Sequence, residues 1–438
     1  MRLLRELRPL RQALESWHAD GTRVSDWRIS WTWERGAEVG VKDAEPANVH
    51  SPLTMAEGVS ARVFIQWSDG QISSRRAERA ELARPGELLS SARAARYEDP
   101  DAANFLGPQA WPDVPLFSLA TASVAEGVLE PLAALLEVAA KLAAAHRFST
   151  YSGTVSAAHR RAGVLTSRGC EAEGESTAFS YYFWFEGQAG EGWTRREIIS
   201  PEVARGRLAE TCDHVRRLGE REAAFAGGAL PVLLHPQVAE AFFTTYFLAN
   251  LSGERIWNRQ SAFRIEHFRE RALLFREDLS VRLDPLVPYG AGSYRFTSEG
   301  LPARRADYLV SGRLASPMLD LKYARRFGLE PVPPPAGIES VIIEAGAMEG
   351  PEKILGEMGR GLLVLGVLGL HTQDHTSGEF SLSAPQSLAV GPGRLGGRVR
   401  AGLSGNFFEC LRSPALRLVR FPGFHMPGLL IPAIVAVD

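Results

Sequence analysis

Residues Val238–Gly253 read VAEAFFTTYFLANLSG. Apolar residues recur along the stretch at helical intervals, which predicts a buried helix ending at Ser252-Gly253. Its polar residues are two adjacent threonines, Thr244 and Thr245, set among phenylalanines, and Asn250 near its end. The sequence after it is rich in glycine and proline, and helical periodicity returns only in EGPEKILGEMG. SVIIEAG, GLLVLGVLG, GEFSLSAPQSLAV and LLIPAIVAVD have the texture of strands, so the helix is expected inside a β-rich C-terminal domain. EPVPPPAG, residues 330–337, is read as a surface loop, with an extended recognition segment as the alternative.

Upstream, the Gly-Gly of AFAGGALP marks a domain boundary, giving an N-terminal sheet-and-helix domain over 1–226 and the β-rich domain over 227–438. In the first, DWRISWTWERG places Trp27, Ile29, Trp31 and Trp33 on one side of a strand by strict alternation. ARVFIQWSDG and the pair within HRRAGVLTSRGCEAEGESTAFSYYFWFEG extend an antiparallel sheet. RPGELLSSARAARYE, VLEPLAALLEVAAKLAAAH and SPEVARGRLAETCDHVRRLGEREA read as helices. An N-terminal helix carries Leu3, Leu4, Leu7, Leu10, Leu14 and Trp17 on one face. The fold class is α+β.

The 438 residues are 45% apolar and 23% charged, as in a globular protein, and a net charge of -2 excludes an electrostatic bias toward nucleic acid or anionic membrane. Cys170, Cys212 and Cys410 are odd in number and widely spaced, so no disulfide framework is visible and a reducing compartment is expected. The N-terminus lacks the apolar core of a signal peptide, and the longest apolar run, Gly361–Leu370, is about half a membrane span. A cytoplasmic location is expected.

HTQDHTSGEF offers His371, Asp374, His375 and Glu379. Histidines four apart share a helix face and with a carboxylate resemble a zinc set, but the Ser-Gly context predicts a loop, where that spacing loses its meaning. The other reading is a polar loop hydrogen-bonded to backbone. His235 is a cap or a core histidine, His425 a turn residue, and GAGSYRF a flexible turn. Cys212 and His214 are two apart on a helix and face away from each other. Neither a phosphate-binding loop nor a nucleophile elbow occurs. Residue chemistry alone defends no enzyme.

The organisation nevertheless resembles a known family. LPVLLHPQVAEAFFTTYFLANLSGERIWNRQSAF is similar to its Pro-Val-x-Leu-x-Pro opening and buried helix. The segment from LSVRLDPLVPYG to LKYARRFGL is similar to its Asp-Pro and Glu-Gly-x-Pro series, TSGEFS to its Ser-Gly-x-Phe-Ser signature, and SGNFFECL to its Gly-Asn turn. On these motifs the chain resembles the TldD/TldE (PmbA) family, formerly described as modulators of DNA gyrase, closely over 230–438 and loosely elsewhere. TldD-type members carry His-Glu-x-x-x-His on the helix and a C-terminal cysteine, which together hold zinc. Here the matching helix positions are Thr244, Thr245 and Ala249, and FPGFHMPGLLIPAIVAVD has no cysteine; Cys410 lies outside the ligand position.

The resemblance therefore implies a TldE-type pseudoprotease subunit with no catalytic residue, metal or cofactor of its own. Zinc is expected only in a TldD-type partner. With that partner, or with itself, the chain would form a dimer whose shared chamber admits small unstructured peptides, and its edge strands would hold them by β-augmentation. Chamber candidates are His371, Ser377, Gly378, Glu379 and Ser381. The alternatives are a homodimeric peptide-binding or scaffold protein without a protease partner, and an enzyme with zinc on His371 and His375. FTSEG departs from the family's Asp-x-Glu-Gly form at Thr297.

Overall fold

The computed structural model describes residues 2–47, 51–222 and 225–437, with side chains described from residue 7 onward. Strands β1 (Thr22–Ala44), β2 (Thr54–Trp67), β3 (Ile72–Glu78), β4 (Tyr151–Thr166), β5 (Glu171–Phe185) and β6 (Ala189–Arg195) form an antiparallel sheet in the order β3-β2-β1-β4-β5-β6. The two-residue strand His18–Ala19 is paired to β1. Four longer helices accompany the sheet: α1 (Arg2–Ser16), α2 (Pro85–Ala94), α3 (Glu130–Ala145) and α4 (Pro201–Leu218).

β1 is 23 residues long and crosses two cores. Its first part sends Trp27, Ile29 and Trp31 into a cluster with Leu7, Leu10 and Leu14 of α1, and Trp33 packs at that cluster's edge. The expected alternation is observed. Leu3 and Leu4 lie outside the described side chains. Opposite Trp31 in register is Gly163, where a Cβ would fall 2.6 Å from the indole, so only glycine admits the ring. Further along, Ala37 and Val39 join a second cluster with Leu132, Leu135 and Leu136 of α3 and Leu208, Cys212 and Val215 of α4.

The C-terminal half opens with β7 (Gly228–Leu234). A small antiparallel sheet follows, built mainly of β8 (Leu279–Leu283), β9 (Ala306–Val310) and β10 (Val341–Ala345). Then come β11 (Gly361–Leu368), β12 (Glu379–Gly391), β13 (Arg394–Asn406), β14 (Arg417–Val419) and β15 (Gly428–Val437). These pair in the order β13-β12-β11-β7-β15-β14, and β13 also pairs with β15, which closes five of the strands into a barrel. Only the β7–β11 pairing is parallel in this sheet.

β7 and β11 are apolar on both faces for a packing reason. Val232, Leu234, Leu362 and Val364 enter one cluster with the phenylalanines of Val238–Gly253. Leu233 and Leu363, pointing the other way, enter the cluster of α3 and α4. That second cluster therefore contains side chains from both halves of the chain. Among the described residues no helix is long and apolar enough to cross a membrane.

One loop differs from expectation, and a second keeps its expected place at the surface while anchored at one residue. GAGSYRF is an anchored segment instead of a flexible turn, because the half-buried Arg196 guanidinium donates to the carbonyls of Gly290, Ala291 and Ser293 at 3.2, 2.9 and 2.9 Å. The proline-rich segment is built into the fold through Val332, which exchanges backbone hydrogen bonds of 2.7 and 2.9 Å with Leu319.

Candidate functional site

The central helix starts with His235 at the N-cap and Pro236 at its first position, where a missing N–H costs nothing. Helix α5 (Pro236–Phe242) then widens into a π-turn over Phe243–Phe247 and tightens into a 3₁₀ turn over Leu248–Leu251. This corrects the expectation of one regular helix. The Ser-Gly element is also a start and not a stop: Ser252 caps the next helix, Gly253–Trp257, its hydroxyl accepting from the Arg255 N–H.

A π-turn closes hydrogen bonds between residues i and i+5. Phe242, Phe243, Tyr246 and Phe247 are each 0% exposed, facing the barrel cluster. Thr244 is exposed and Thr245 and Ala249 are half-buried, so these three form the open side together with Gln237, Glu240 and Ala241 one and two turns earlier. The threonine pair thus lies on the open side of an otherwise buried helix.

The C-terminal end of this helix is fastened by Asn250, itself 0% exposed. Its Nδ2 donates to the carbonyls of Tyr246 at 2.7 Å and His375 at 2.8 Å, and its Oδ1 accepts from the Ala262 N–H at 2.7 Å. Tyr246 Oη donates to the Glu379 carbonyl at 3.0 Å. The structure thus brings the loop containing the sequence-derived chamber candidates to the helix, through their backbone. His371 is exposed on a 3₁₀ turn and makes no hydrogen bond among the described residues. Ser377 Oγ donates to the Asp374 carbonyl and accepts from the Glu379 N–H, at 3.2 and 3.1 Å. Glu379 and Ser381 are exposed at the start of β12.

Gly378 has φ +75°, and a Cβ there would sit 2.5 Å from the Phe408 ring, so this position shapes the turn. Gly378→Ala is expected to lower stability by about 2 kcal/mol through strain and displacement of Phe408. Chemical denaturation measures this; an unchanged midpoint would show that the turn relaxes freely.

At the other end of the helix, a cavity of about 380 Å³ opens beside Gln237 and Glu240. Across it stand Ser156, Ser180 and Tyr182 of the N-terminal sheet, with Glu339 and His425 closing the rim. Burial and the neighbouring Glu339 carboxylate hold the Glu240 pKa above its ordinary value. Sequence reasoning missed this cavity, since its walls are polar strand residues distant along the chain.

Behind it is a buried network that was also missed. Glu191, 1% exposed in its side chain, is paired with Arg207 Nε and accepts from Tyr181 Oη at 2.9 Å and Thr211 Oγ1 at 3.2 Å. The Arg207 guanidinium lies 4.5 Å from the Trp193 ring and 4.1 Å from that of Phe424, and donates to the Gly423 carbonyl. Next to Phe424 packs His235, whose Nδ1 is buried without a partner among the described residues, and His214 meets it edge-on at 6.1 Å.

Burial lowers the His214 pKa to about 4 from 6.5, and drives that of His235 well down in the same direction. Both rings are neutral when folded. Below pH 6.5 the unfolded chain binds a proton at residue 214 that the folded chain refuses, until pH falls through about 4. Stability from His214 is thus complete above the unfolded pKa and lost on acidification, a change on the order of 3 kcal/mol. Compared with His214→Gln, the wild-type chain should lose that much more between pH 7 and pH 4 in urea unfolding. Parallel losses in the two proteins would refute the assignment.

A catalytic metal does not fit the open side of the helix. Thr244 and Thr245 offer neutral hydroxyls, and Ala249 offers no donor atom. Among the described residues no group of three or more His, Cys, Asp or Glu side chains is placed to hold a metal ion. His375 Nδ1 accepts from Arg255 Nη1 at 3.3 Å, so a cation already occupies its approach, which weighs against zinc on His371 and His375. Cys410 is buried, its thiol pushed up to about 12 by burial and 3.6 Å from the Pro432 carbonyl.

Comparison with known proteins adds to this geometry. Residues 227–436 match the PmbA/TldA metallopeptidase C-terminal domain. A curated protein described as a metalloprotease PmbA homolog, from Buchnera aphidicola subsp. Acyrthosiphon pisum, is 23% identical over 188 residues, which span 43% of this chain and 40% of that relative. The crystal structure of TldE from Thermococcus kodakarensis superposes with a TM-score of 0.79 at 17% identity, covering 100% of both chains. A Bacteroides thetaiotaomicron structure, described as a modulator of DNA gyrase, superposes with a TM-score of 0.77 at 16% identity over 99% of this chain and 98% of its own. At these identities the superpositions establish a shared fold.

Proposed function

The chain belongs to the TldD/TldE (PmbA) family, and from that premise we propose that it is the metal-free, TldE-type subunit of a two-chain peptidase acting on small unstructured peptides. The observation that carries this reading is the open side of the central helix. It widens into a π-turn over Phe243–Phe247, yet presents two hydroxyls and a methyl group at positions 244, 245 and 249. Such a surface binds no cation and takes up no proton at neutral pH. Its task is to continue the wall of a chamber whose zinc and general base belong to a second chain.

The cavity beside Gln237 and Glu240 opens at the start of that same side and offers hydroxyl and carboxylate groups to an extended backbone. The loop carrying Ser377, Gly378 and Glu379 is fastened at the helix's other end, through Tyr246 and Asn250. Width limited by these walls would admit a single unfolded chain and exclude folded domains.

The test is co-expression with a paralogue bearing His-Glu-x-x-x-His. A 1:1 complex by light scattering, cleaving an unstructured peptide in a chelator-sensitive manner, is expected, with each chain inactive alone. Chelator-sensitive cleavage by this chain in isolation would sink the reading, and so would failure to form the complex. A stable homodimer that binds peptide but ignores the paralogue would replace it with the scaffold alternative.

A further inference from the structure

Two sequence features remain outside that function, the Thr297 turn and the proline-rich segment, and the fold brings them to one pocket. This pocket, of about 480 Å³, lies between β1 and β2 on one side and the loops 294–301 and 333–336 on the other. Arg28 of β1 forms part of its wall with only 12% of its side chain exposed. A guanidinium has five N–H donors, yet Arg28 makes no hydrogen bond among the described residues. Its neighbours are the Phe64 ring at 5.1 Å and Glu299 Oε1 at 3.6 Å. Paired with a single acid and lining the pocket, Arg28 keeps N–H donors free for a group that enters it.

The same wall holds further unused donors. Tyr294 Oη is buried with no partner among the described residues, and burial pushes its pKa up to about 12, so it remains a hydroxyl. Arg62 of β2 reaches the rim, exposed, with no ion pair or hydrogen bond among the described residues. The acids are partly committed: Glu299 Oε1 faces Arg28 at 3.6 Å, and the other acceptors are taken by backbone. Glu299 Oε2 accepts from the Leu321 N–H at 3.0 Å and Asp320 Oδ1 from the Tyr323 N–H at 2.8 Å. Thr297 fixes its turn with a neutral hydroxyl that accepts from the Glu299 and Leu301 N–H groups, so no third carboxylate enters the wall. The remaining surface is mostly apolar, with Phe296, Leu301 and the run Pro333–Pro335, and includes Ser30 and Ser298.

We propose that this pocket binds the C-terminal carboxylate of a short peptide, with Arg28 and Arg62 on the carboxylate, the Tyr294 hydroxyl beside them, and the last side chain against Phe296 and the prolines. A carboxylate suits the wall better than a phosphate dianion, because two guanidinium groups face two acids and a second negative charge would meet Glu299. Peptide is chosen as the carrier on the strength of the function proposed above. The pocket is complete in this chain and needs no partner subunit.

Isothermal titration calorimetry on the isolated full chain tests this with N-acetyl-Ala-Ala-Phe, its C-terminal amide and inorganic phosphate. The free acid should bind saturably and the amide roughly tenfold or more weaker, as expected for loss of charge-assisted hydrogen bonds. Arg28→Gln should weaken the acid by at least about tenfold, with its thermal midpoint measured to confirm folding. Arg62→Gln, at an exposed residue with no structural partner, should weaken it by roughly threefold to tenfold without touching the fold. Equal affinity for acid and amide, phosphate binding without peptide binding, or unchanged binding in Arg62→Gln would each overturn the assignment. Because no second chain is present, a negative result leaves the proposed complex standing, and loss of the complex leaves this pocket standing.

Discussion

Arg207→Leu should lower the folding stability of this chain by about 3–5 kcal/mol, among the largest effects available to a single substitution here. The reason is what remains afterwards. Glu191 is 1% exposed in its side chain and would keep only the neutral donors Tyr181 and Thr211, with no countercharge. The substitution also empties the slot between Trp193 and Phe424, and frees the Gly423 carbonyl at the edge of the cavity. Urea unfolding monitored by tryptophan fluorescence reads the loss. Replacing Glu191 by Leu in the same protein should recover part of it, since two apolar residues leave no buried charge behind. The Arg207→Leu deficit should also shrink as pH falls from 7.5 to 5, because an unpaired Glu191 takes up a proton in the folded state before it does in the unfolded one. A deficit under about 1 kcal/mol that is flat with pH would mean that solvent reaches the pair.

How much of this was readable beforehand depended on whether one residue's surroundings lay close in sequence. The Trp27-Ile29-Trp31 alternation was legible because one face of β1 is buried and the period of two is local. β7 was not recognised as a strand. Its LPVLL is buried on both faces by clusters from different parts of the chain, which leaves no alternation to read, and only a single residue separates it from α5. The positions Thr244, Thr245 and Ala249 came from the resemblance to the family's helix motif, and the π-turn in which the threonines sit leaves no mark in five residues of sequence. Arg28, between two buried apolar residues of β1, reads as a solvent-facing strand position. It is covered only because loops some 270 to 310 residues further along fold over that face of the sheet. The Arg207–Glu191 pair joins a helix to a strand edge, and no local pattern announces it.

Asn250→Leu is the second substitution expected to be severe, at about 3–5 kcal/mol. Asparagine here uses both amide hydrogens and its oxygen on three backbone groups from three segments, the π-turn, the 375 loop and the bend at Ala262. Leucine has the volume but leaves a carbonyl of Tyr246, a carbonyl of His375 and the N–H of Ala262 buried without their partner. Asn250→Asp separates the donors from the acceptor. It keeps the bond from Ala262, but turns a carboxylate oxygen toward two carbonyl oxygens, so it should be as damaging as leucine at pH 7.5. It should then recover as pH falls, because the protonated acid can donate to one of them. Amide hydrogen exchange localises the consequence. Exchange across residues 374–380 should accelerate in either variant while β7 and β11, buried on both faces, stay protected. In a complex with a metal-bearing paralogue, the same variants should lose peptide cleavage while retaining association, since the loop forms a chamber wall in the proposed arrangement. Unchanged exchange in that loop would show that Tyr246 Oη, through Glu379, suffices to hold it, and that Asn250 serves only the turn it sits in.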